Sequence, residues 1–417
     1  MPHLSLSVLR RPDFRHLFLT RMFGVMALQA QAVIVGWQVY SITKDPFMLG
    51  LVGLTEAAPA ILSALVSGHV VDTHRPFKVY TLCLGALVLN TLLLWAIAGE
   101  HIAAPGGSVL PWIFAGVFIS GVARSFIMPS SFSLVPQVVP RSEMPASSAW
   151  LSSGFQMATI MGPAVAGLLY AASGAAVAWL MPVGLTATAL LSLLLLSPAP
   201  RRYQSEQRGE PAIESIKAGW RFLWHHPVLL SIMALDMFAV LFGGAVAMLP
   251  AYADQVLQTD ASGLGLLRAA PAVGAIITAL ALALLPMRTI RGTTLMLVIT
   301  GFGLCMIGFG LSTVFWLSAL LLLVGGAFDS VSMVIRSTVF QLLTPAAMRG
   351  RVSAVNSMFI ISSNEIGAFY SGVMARFLGL VPGIIVGGVG TLVVVAIAAL
   401  RAPNLRRMKI ETRDITP

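Results

Sequence analysis

Long apolar stretches alternate with short polar ones along the whole chain. Twelve of the apolar stretches have the roughly 20 residues that an α-helix needs to cross the hydrocarbon core of a bilayer. Their predicted bounds are 16–40, 47–71, 77–98, 110–136, 145–171, 175–197, 227–252, 261–286, 292–312, 315–343, 351–376 and 380–400. Strands of a membrane barrel would instead alternate apolar and polar residues in runs of about 10. The pattern therefore predicts an all-α membrane protein with twelve transmembrane helices.

The one long polar stretch follows the sixth predicted span and divides the chain into two sets of six. The predicted domains are an N-terminal six-helix bundle at 1–197, a cytoplasmic linker at 198–226, a C-terminal six-helix bundle at 227–400 and a cytoplasmic tail at 401–417. In the linker, apolar residues recur at helical spacing from Ile213 to Leu223, with Lys217 and Arg221 between them. This predicts a short amphipathic helix lying on the cytoplasmic surface.

Composition and charge agree with a membrane location. Of the 417 residues, 57% are hydrophobic and 10% are charged, and the mean hydropathy is +0.87; soluble proteins carry about 25% charged residues. The net charge of +10 comes from basic residues in alternate loops and both tails, which the positive-inside rule assigns to the cytoplasm. We therefore expect a bacterial inner-membrane protein with both termini cytoplasmic. Charges scattered in this way favour no nucleic-acid partner.

The two halves of the chain repeat each other. A shift of 205 residues lays Pro140 on Pro345 and Arg124 on Asp329, and a shift of 212 lays Glu56 on Arg268. Two parallel six-helix repeats predict pseudo-symmetric bundles that rock about a midplane binding site, giving alternating access to the two sides.

Several short stretches carry a resemblance to the major facilitator superfamily. The segment 68–78 resembles the family's loop between helices two and three, and 348–352 its second-half equivalent. The segments 11–15 and 139–145, with Gly162 and Pro163, are similar to the bacterial exporter branch that includes enterobactin and other siderophore exporters. The resemblance implies the major facilitator fold, secondary active transport and outward transport.

The resemblance also implies which residues control access. The gating residues carried over by the two loop motifs are Gly68, Asp72, Arg75, Lys78, Arg349 and Arg351. One departure is that the loop after the eighth span contains Arg288 and Arg291 without an acidic residue. This leaves one complete gating loop instead of two.

Charged residues inside the spans are the main functional candidates, because each costs at least about 2.5–3.5 kcal/mol at the bilayer centre. We expect Arg124 and Asp329 to form a midplane pair for substrate or coupling, with a structural ion pair as the alternative. Glu56 and Arg268 form a second symmetric pair, for which gating is favoured over substrate contact. Arg21 lies near the start of the first span, one or two helical turns inside it, where its side chain can extend to the membrane surface.

Buried carboxylates are candidates for proton carriage, because a low-dielectric interior favours their protonated form. Asp236, Asp329 and Glu365 are the candidates; neutralisation by Arg268 or Arg336 is the alternative reading. Polar side chains expected to line the substrate cavity are Gln31, Gln38 and Gln156.

The sequence contains no nucleotide-binding loop, metal-ligand cluster or nucleophile constellation. We therefore expect a transporter and not an enzyme, with no cofactor and no metal site, energised by protons. The predicted function is efflux of a siderophore-like or drug-like solute, by a monomer in the lipid bilayer. Metal-ion export, solute import and a non-transporting membrane sensor or enzyme remain open.

Overall fold

The computed structural model describes residues 7–103, 107–202, 212–285, 289–345 and 348–411, and these residues are almost entirely helical. The helices are α1 (Pro12–Thr43), α2 (Pro46–Thr73), α3 (Pro76–Ala98), α4 (Leu110–Val138), α5 (Met144–Leu194), α6 (Pro198–Arg202), α7 (Ala212–Trp224), α8 (Pro227–Phe242), α9 (Leu249–Gln255), α10 (Ala261–Leu284), α11 (Gly292–Leu311), α12 (Phe315–Leu343), α13 (Arg349–Leu378), α14 (Leu380–Arg401) and α15 (Pro403–Arg407). The described structure also contains two short strands, β1 (Thr289–Arg291) and β2 (Lys409–Glu411), and three 3-10 helices at Val8–Arg10, Arg141–Glu143 and Ala245–Met248.

The spans agree with the prediction of an all-helical membrane protein. Ten helical stretches in the described residues are long and apolar enough to cross a bilayer, and a shorter apolar helix covers Ile366–Leu378 within α13. Helix α5 has 51 residues and a non-helical break at Gly174, where φ is 74°. At 1.5 Å per residue it is long enough for two crossings, so it contains the predicted fifth span and all but the last three residues of the sixth. The all-α membrane fold is confirmed.

The seventh predicted span is not one continuous helix. Helix α8 ends at Phe242, and a 3-10 turn at Ala245–Met248 precedes α9. Side-chain hydroxyls bond carbonyls next to this break: Thr391 donates to Ala239 (3.1 Å) and Ser371 donates to Gly244 (3.2 Å). Side chains of α13 and α14 thus supply polar contacts at the break, where a bilayer offers no water to its backbone.

The chain divides into two compact units that differ from the predicted halves at two short segments. Unit 1 comprises Met1–Thr43, Thr55–Ala212 and Thr259–Leu266; unit 2 comprises Lys44–Leu54, Ile213–Gln258 and Leu267–Pro417. In unit 2 a Cβ on Gly372 would lie 2.8 Å from Gly50 Cα, and in unit 1 a Cβ on Gly265 would lie 2.6 Å from the Pro163 carbonyl. Glycine at these positions permits the close helix approach that joins each short segment to its unit.

Two ion pairs also hold the segment Lys44–Leu54 within unit 2. Lys44 Nζ lies 3.0 Å from a carboxylate oxygen of Asp254, and Arg376 lies 3.7 Å from Asp45. The start of α2 is therefore attached by both packing and charge.

The C-terminal tail is structured where it follows α15. Strand β2 pairs antiparallel with β1, which places Ile410 opposite the buried Ile290. A Cβ on Gly292 would meet the Leu405 carbonyl, so the tail is packed against the start of α11. Neither strand was predicted from the sequence.

Candidate functional site

A cavity of about 420 Å³ lies within unit 2 and is formed by α8, α12 and α13. Its lining residues are Asp236, Val240, Asp329, Met333, Arg336, Ser337, Phe340, Gln341, Thr344, Val352, Asn356, Ile360, Ser363 and Asn364. The volume is in the range of small-molecule sites, and the lining mixes apolar walls with a few polar groups, as such sites do.

An arginine and two aspartates form the charged centre of this cavity. Arg336 of α12 makes an ion pair with Asp236 of α8, and both side chains are largely buried, at 13% and 11% exposed. A second Arg336 nitrogen lies 3.8 Å from Asp329, whose side chain is 55% exposed. We call these three residues the cavity triad.

When both carboxylates are ionised, the cavity triad has a net charge of −1, because Arg336 balances only one of them. Asp236 has the closer partner, whereas Asp329 faces the open cavity with a longer contact to Arg336. Charged groups inside a membrane domain persist where they pair with each other or face an aqueous cavity. Asp329 is therefore the member of the triad that is most exposed to the cavity.

The structure pairs the predicted charged residues within units. In unit 1, Arg124 Nη1 lies 2.8 Å from Glu56 Oε1, with side-chain exposures of 51% and 26%. The sequence repeat had instead associated Arg124 with Asp329 and Glu56 with Arg268. Arg268 is half-buried in unit 2. The observed pair joins α4 to α2, because Gly121, three residues before Arg124, lets α4 approach the backbone of Glu56 closely.

Arg21 is a cation whose environment the sequence did not reveal. Its guanidinium lies over the ring of Phe132, 4.7 Å from the centroid. Its Nε and Nη1 atoms are buried and lack a hydrogen-bond partner among the described residues. A cation–π contact compensates only part of the lost hydration, so Arg21 is a buried cation whose charge is incompletely compensated.

The predicted glutamines of α1 are packed between helices. Gln31 donates to Ser120 Oγ (2.8 Å), and Gln38 accepts from the indole nitrogen of Trp179 (3.1 Å). Both are less than 10% exposed, which favours a packing role for them. Gln156 of α5 is half-buried.

The described gating residues lie near the ends of helices. Arg75 and Lys78 are exposed at the start of α3, and Arg351 is half-buried in the first turn of α13. The candidate residues whose side chains lie outside the described part are Gly68, Asp72, Arg349 and Glu365.

Two of the stretches that carry the family resemblance contact each other. Arg11, just before α1, donates to Glu143 before α5, with a shortest distance of 2.9 Å. This hydrogen bond raises the pKa of the Arg11 guanidinium. The contact ties the entry of the first helix to the entry of the fifth.

Comparison with known proteins gives matches over nearly the whole chain. A family model described as "Transmembrane secretion effector" matches residues 4–416. Enterobactin exporter EntS of Escherichia coli O1:K1 / APEC is 28% identical over 426 residues, covering 99% of this chain and 97% of that protein. EntS of Shigella boydii serotype 4 has the same identity and coverage.

Solved structures share the fold at low identity. A POT family transporter bound to a thioalcohol-conjugated peptide superposes with a TM-score of 0.72 at 11% identity, covering 94% of this chain and 96% of that one. An inward-facing bacterial homologue of the iron transporter ferroportin gives 0.68 at 18% identity, covering 95% and 100%. These likenesses concern the fold alone.

Proposed function

Because the chain belongs to the transmembrane secretion effector family of the major facilitator superfamily, we propose that it exports a small organic solute in exchange for protons, with the cavity triad as the coupling site. The family and the similarity to an exporter make the protein a secondary transporter and not an enzyme. It is a multi-pass protein of a bacterial inner membrane. The alternation of basic loops supports cytoplasmic termini.

The observation that carries the proposal is the placement of Asp236, Arg336 and Asp329 in one cavity. When Asp329 binds a proton, the triad becomes neutral, because Arg336 balances Asp236. When Asp329 is ionised, the triad holds one negative charge, which is costly in a closed, low-dielectric interior. The neutral state therefore favours a conformation that excludes water. This difference couples proton binding to alternating access.

Unit 1 supplies the cations that support an anionic substrate. Arg124 is half-exposed despite its pair with Glu56, and the Arg21 guanidinium lies over the ring of Phe132. The similar EntS proteins are named as enterobactin exporters. We propose a siderophore-like or amphipathic drug-like anion as the substrate, moved outward by a monomer. Phe132, which is 56% exposed and lies beside Arg21, offers a ring for stacking.

The test is substrate-dependent proton movement in proteoliposomes that contain a pH-sensitive dye. Siderophores, cationic dyes and divalent metal ions are presented in turn to the wild type and to Asp329→Asn. We expect an organic anion to drive proton flux in the wild type and no flux in Asp329→Asn. Glu143→Gln is the matched control, because Glu143 is a surface carboxylate that pairs with Arg11 outside the cavity.

Three outcomes would contradict the proposal. If transport continues unchanged without a pH gradient and in Asp329→Asn, the proposal of proton coupling is wrong. Proton flux driven by metal ions and by no organic solute would identify a metal transporter. An equal loss in Glu143→Gln would show that the assay reports folding and not the cavity.

A further inference from the structure

Helix α7, the amphipathic helix of the linker, is attached to α13 along one face. Gly219 and Leu223 of this face are buried. A Cβ on Gly219 would lie 2.6 Å from the Arg351 carbonyl, so the two backbones are in close contact. Next to this face, the ring of Trp220 stacks on Phe359 of α13 with centroids 5.7 Å apart. The position of α7 is therefore linked to the first turns of α13, which also line the cavity.

The other face of α7 combines two cations with two tryptophans. Lys217, Trp220, Arg221 and Trp224 follow the i, i+3, i+4, i+7 spacing that places residues on one side of a helix. Lys217 and Arg221 are exposed, and Trp220 and Trp224 are 40% and 64% exposed. We call these four residues the basic tryptophan face.

This face lies beside the start of a membrane span. Helix α8 begins at Pro227, three residues after Trp224. Indole rings favour the headgroup region, where their apolar surface is covered and their N–H remains hydrated. The two tryptophan rings lie together, with centroids 6.0 Å apart. Bilayer headgroups are thus the surface that best covers this face.

We propose that the basic tryptophan face binds the phosphate headgroups of anionic phospholipids. Lys217 and Arg221 supply the charge that selects anionic over zwitterionic lipids. The tryptophan rings insert into the headgroup region and set the depth of the helix in the bilayer. Glu214, which is exposed one turn earlier, opposes this attraction. The described charges of α7 thus sum to one positive charge, and removing Glu214 increases it.

The direct test measures which lipids quench Trp224. The full chain is reconstituted in bilayers in which either phosphatidylglycerol or phosphatidylcholine carries bromine, at equal mole fraction. The fluorescence of Trp224→Phe is subtracted from that of the wild type to isolate this residue. Brominated phosphatidylglycerol should quench more strongly. Each basic residue near the surface is expected to contribute about a five-fold lipid preference.

Matched variants distinguish charge recognition from simple burial. Lys217→Gln/Arg221→Gln should lose the lipid preference, and Glu214→Gln should increase it. Arg406→Gln/Arg407→Gln removes two exposed cations on α15 and should leave it unchanged. Equal quenching by both lipids in the wild type would overturn the proposal. Quenching of Trp224 by aqueous iodide but by neither lipid would also overturn it, because it would show that the face is exposed to water. Because no transport is measured, this test is independent of the exporter proposal.

Discussion

Arg336 makes its closer ion pair with Asp236 of the neighbouring helix α8, although Asp329 lies two turns away on its own helix, α12. The contact to Asp329 is 3.8 Å. One guanidinium thus lies between two carboxylates in a membrane-embedded cavity. Removal of the Arg336 guanidinium leaves the Asp236 and Asp329 carboxylates close together. The effect on the stability of the protein can be measured separately from transport.

We expect Arg336→Gln to destabilise the protein, because the Asp236 carboxylate then remains buried without its cation. Breaking a buried pair from one side costs about 3–5 kcal/mol, and protonation of the carboxylates reduces this at low pH. The measurement is the thermal midpoint of the detergent-solubilised protein. The double variant Asp236→Asn/Arg336→Gln should recover most of the loss. Equal midpoints for the single and double variants would show that the pair is not coupled.

We expect the ion pair between Arg124 and Glu56 to affect transport of charged solutes and to contribute little to the stability of the protein. An exposed ion pair contributes about 0–1 kcal/mol, and Arg124 is half-exposed. We expect Arg124→Glu to weaken transport of an organic anion strongly, and the charge swap Arg124→Glu/Glu56→Arg to restore part of it. The KM for the anion is compared with that for a neutral solute. If the double variant has the same KM for the anion as Arg124→Glu alone, transport depends on a cation at position 124 and not on the ion pair.

Close packing at Gly265 predicts a cost for any side chain there. An alanine Cβ would lie 2.6 Å from the Pro163 carbonyl, and such overpacking costs about 1–3 kcal/mol. Gly265→Ala should therefore lower the thermal midpoint. Gly184→Ala on α5 is the control, since a Cβ there would meet no atom within 4 Å beyond the local helix backbone. It should raise the midpoint slightly, because alanine favours a helix by about 0.5–1 kcal/mol over glycine. The reverse order of the two midpoints would refute the close contact.

Asp260 should make a pH-dependent contribution outside the spans. It precedes α10 and accepts hydrogen bonds from the Ser262 hydroxyl (2.5 Å) and from the Ser262 and Gly263 amides. The bond from Ser262 is the main cause that lowers the pKa of the Asp260 carboxyl below 3.8. The stabilisation is complete above the ordinary pKa and is lost as pH falls through the lowered one.

Asp260→Ala should accordingly lower the thermal midpoint at neutral pH, by the equivalent of about 0.5–2 kcal/mol for a helix cap. The difference from the wild type should shrink as pH falls below the ordinary pKa of the carboxyl. A difference independent of pH would show that the ionised carboxylate is not what stabilises α10.

The sequence by itself determined the class of fold and the positions of most spans. A stretch of about twenty mostly apolar residues crosses a bilayer as a helix, because a helix satisfies its backbone hydrogen bonds within the segment. The sequence also identified Arg124, Asp329 and Glu56 as functional candidates, because a charged residue inside a span is costly to insert. Asp329 and Arg336 are seven residues apart on one helix, a spacing that places both side chains on one face; this pair was not predicted from the sequence.

Only the tertiary structure decided which charges meet. Arg336 pairs with Asp236 and Arg124 pairs with Glu56 because helix packing brings these side chains together across long sequence separations. The break in the seventh span and the β1–β2 pairing likewise depend on partners elsewhere in the chain. Hydrophobic length is a local property that each segment carries in its own residues. Ion pairing depends on distances of a few ångströms between segments, and those distances exist only after the helices have packed.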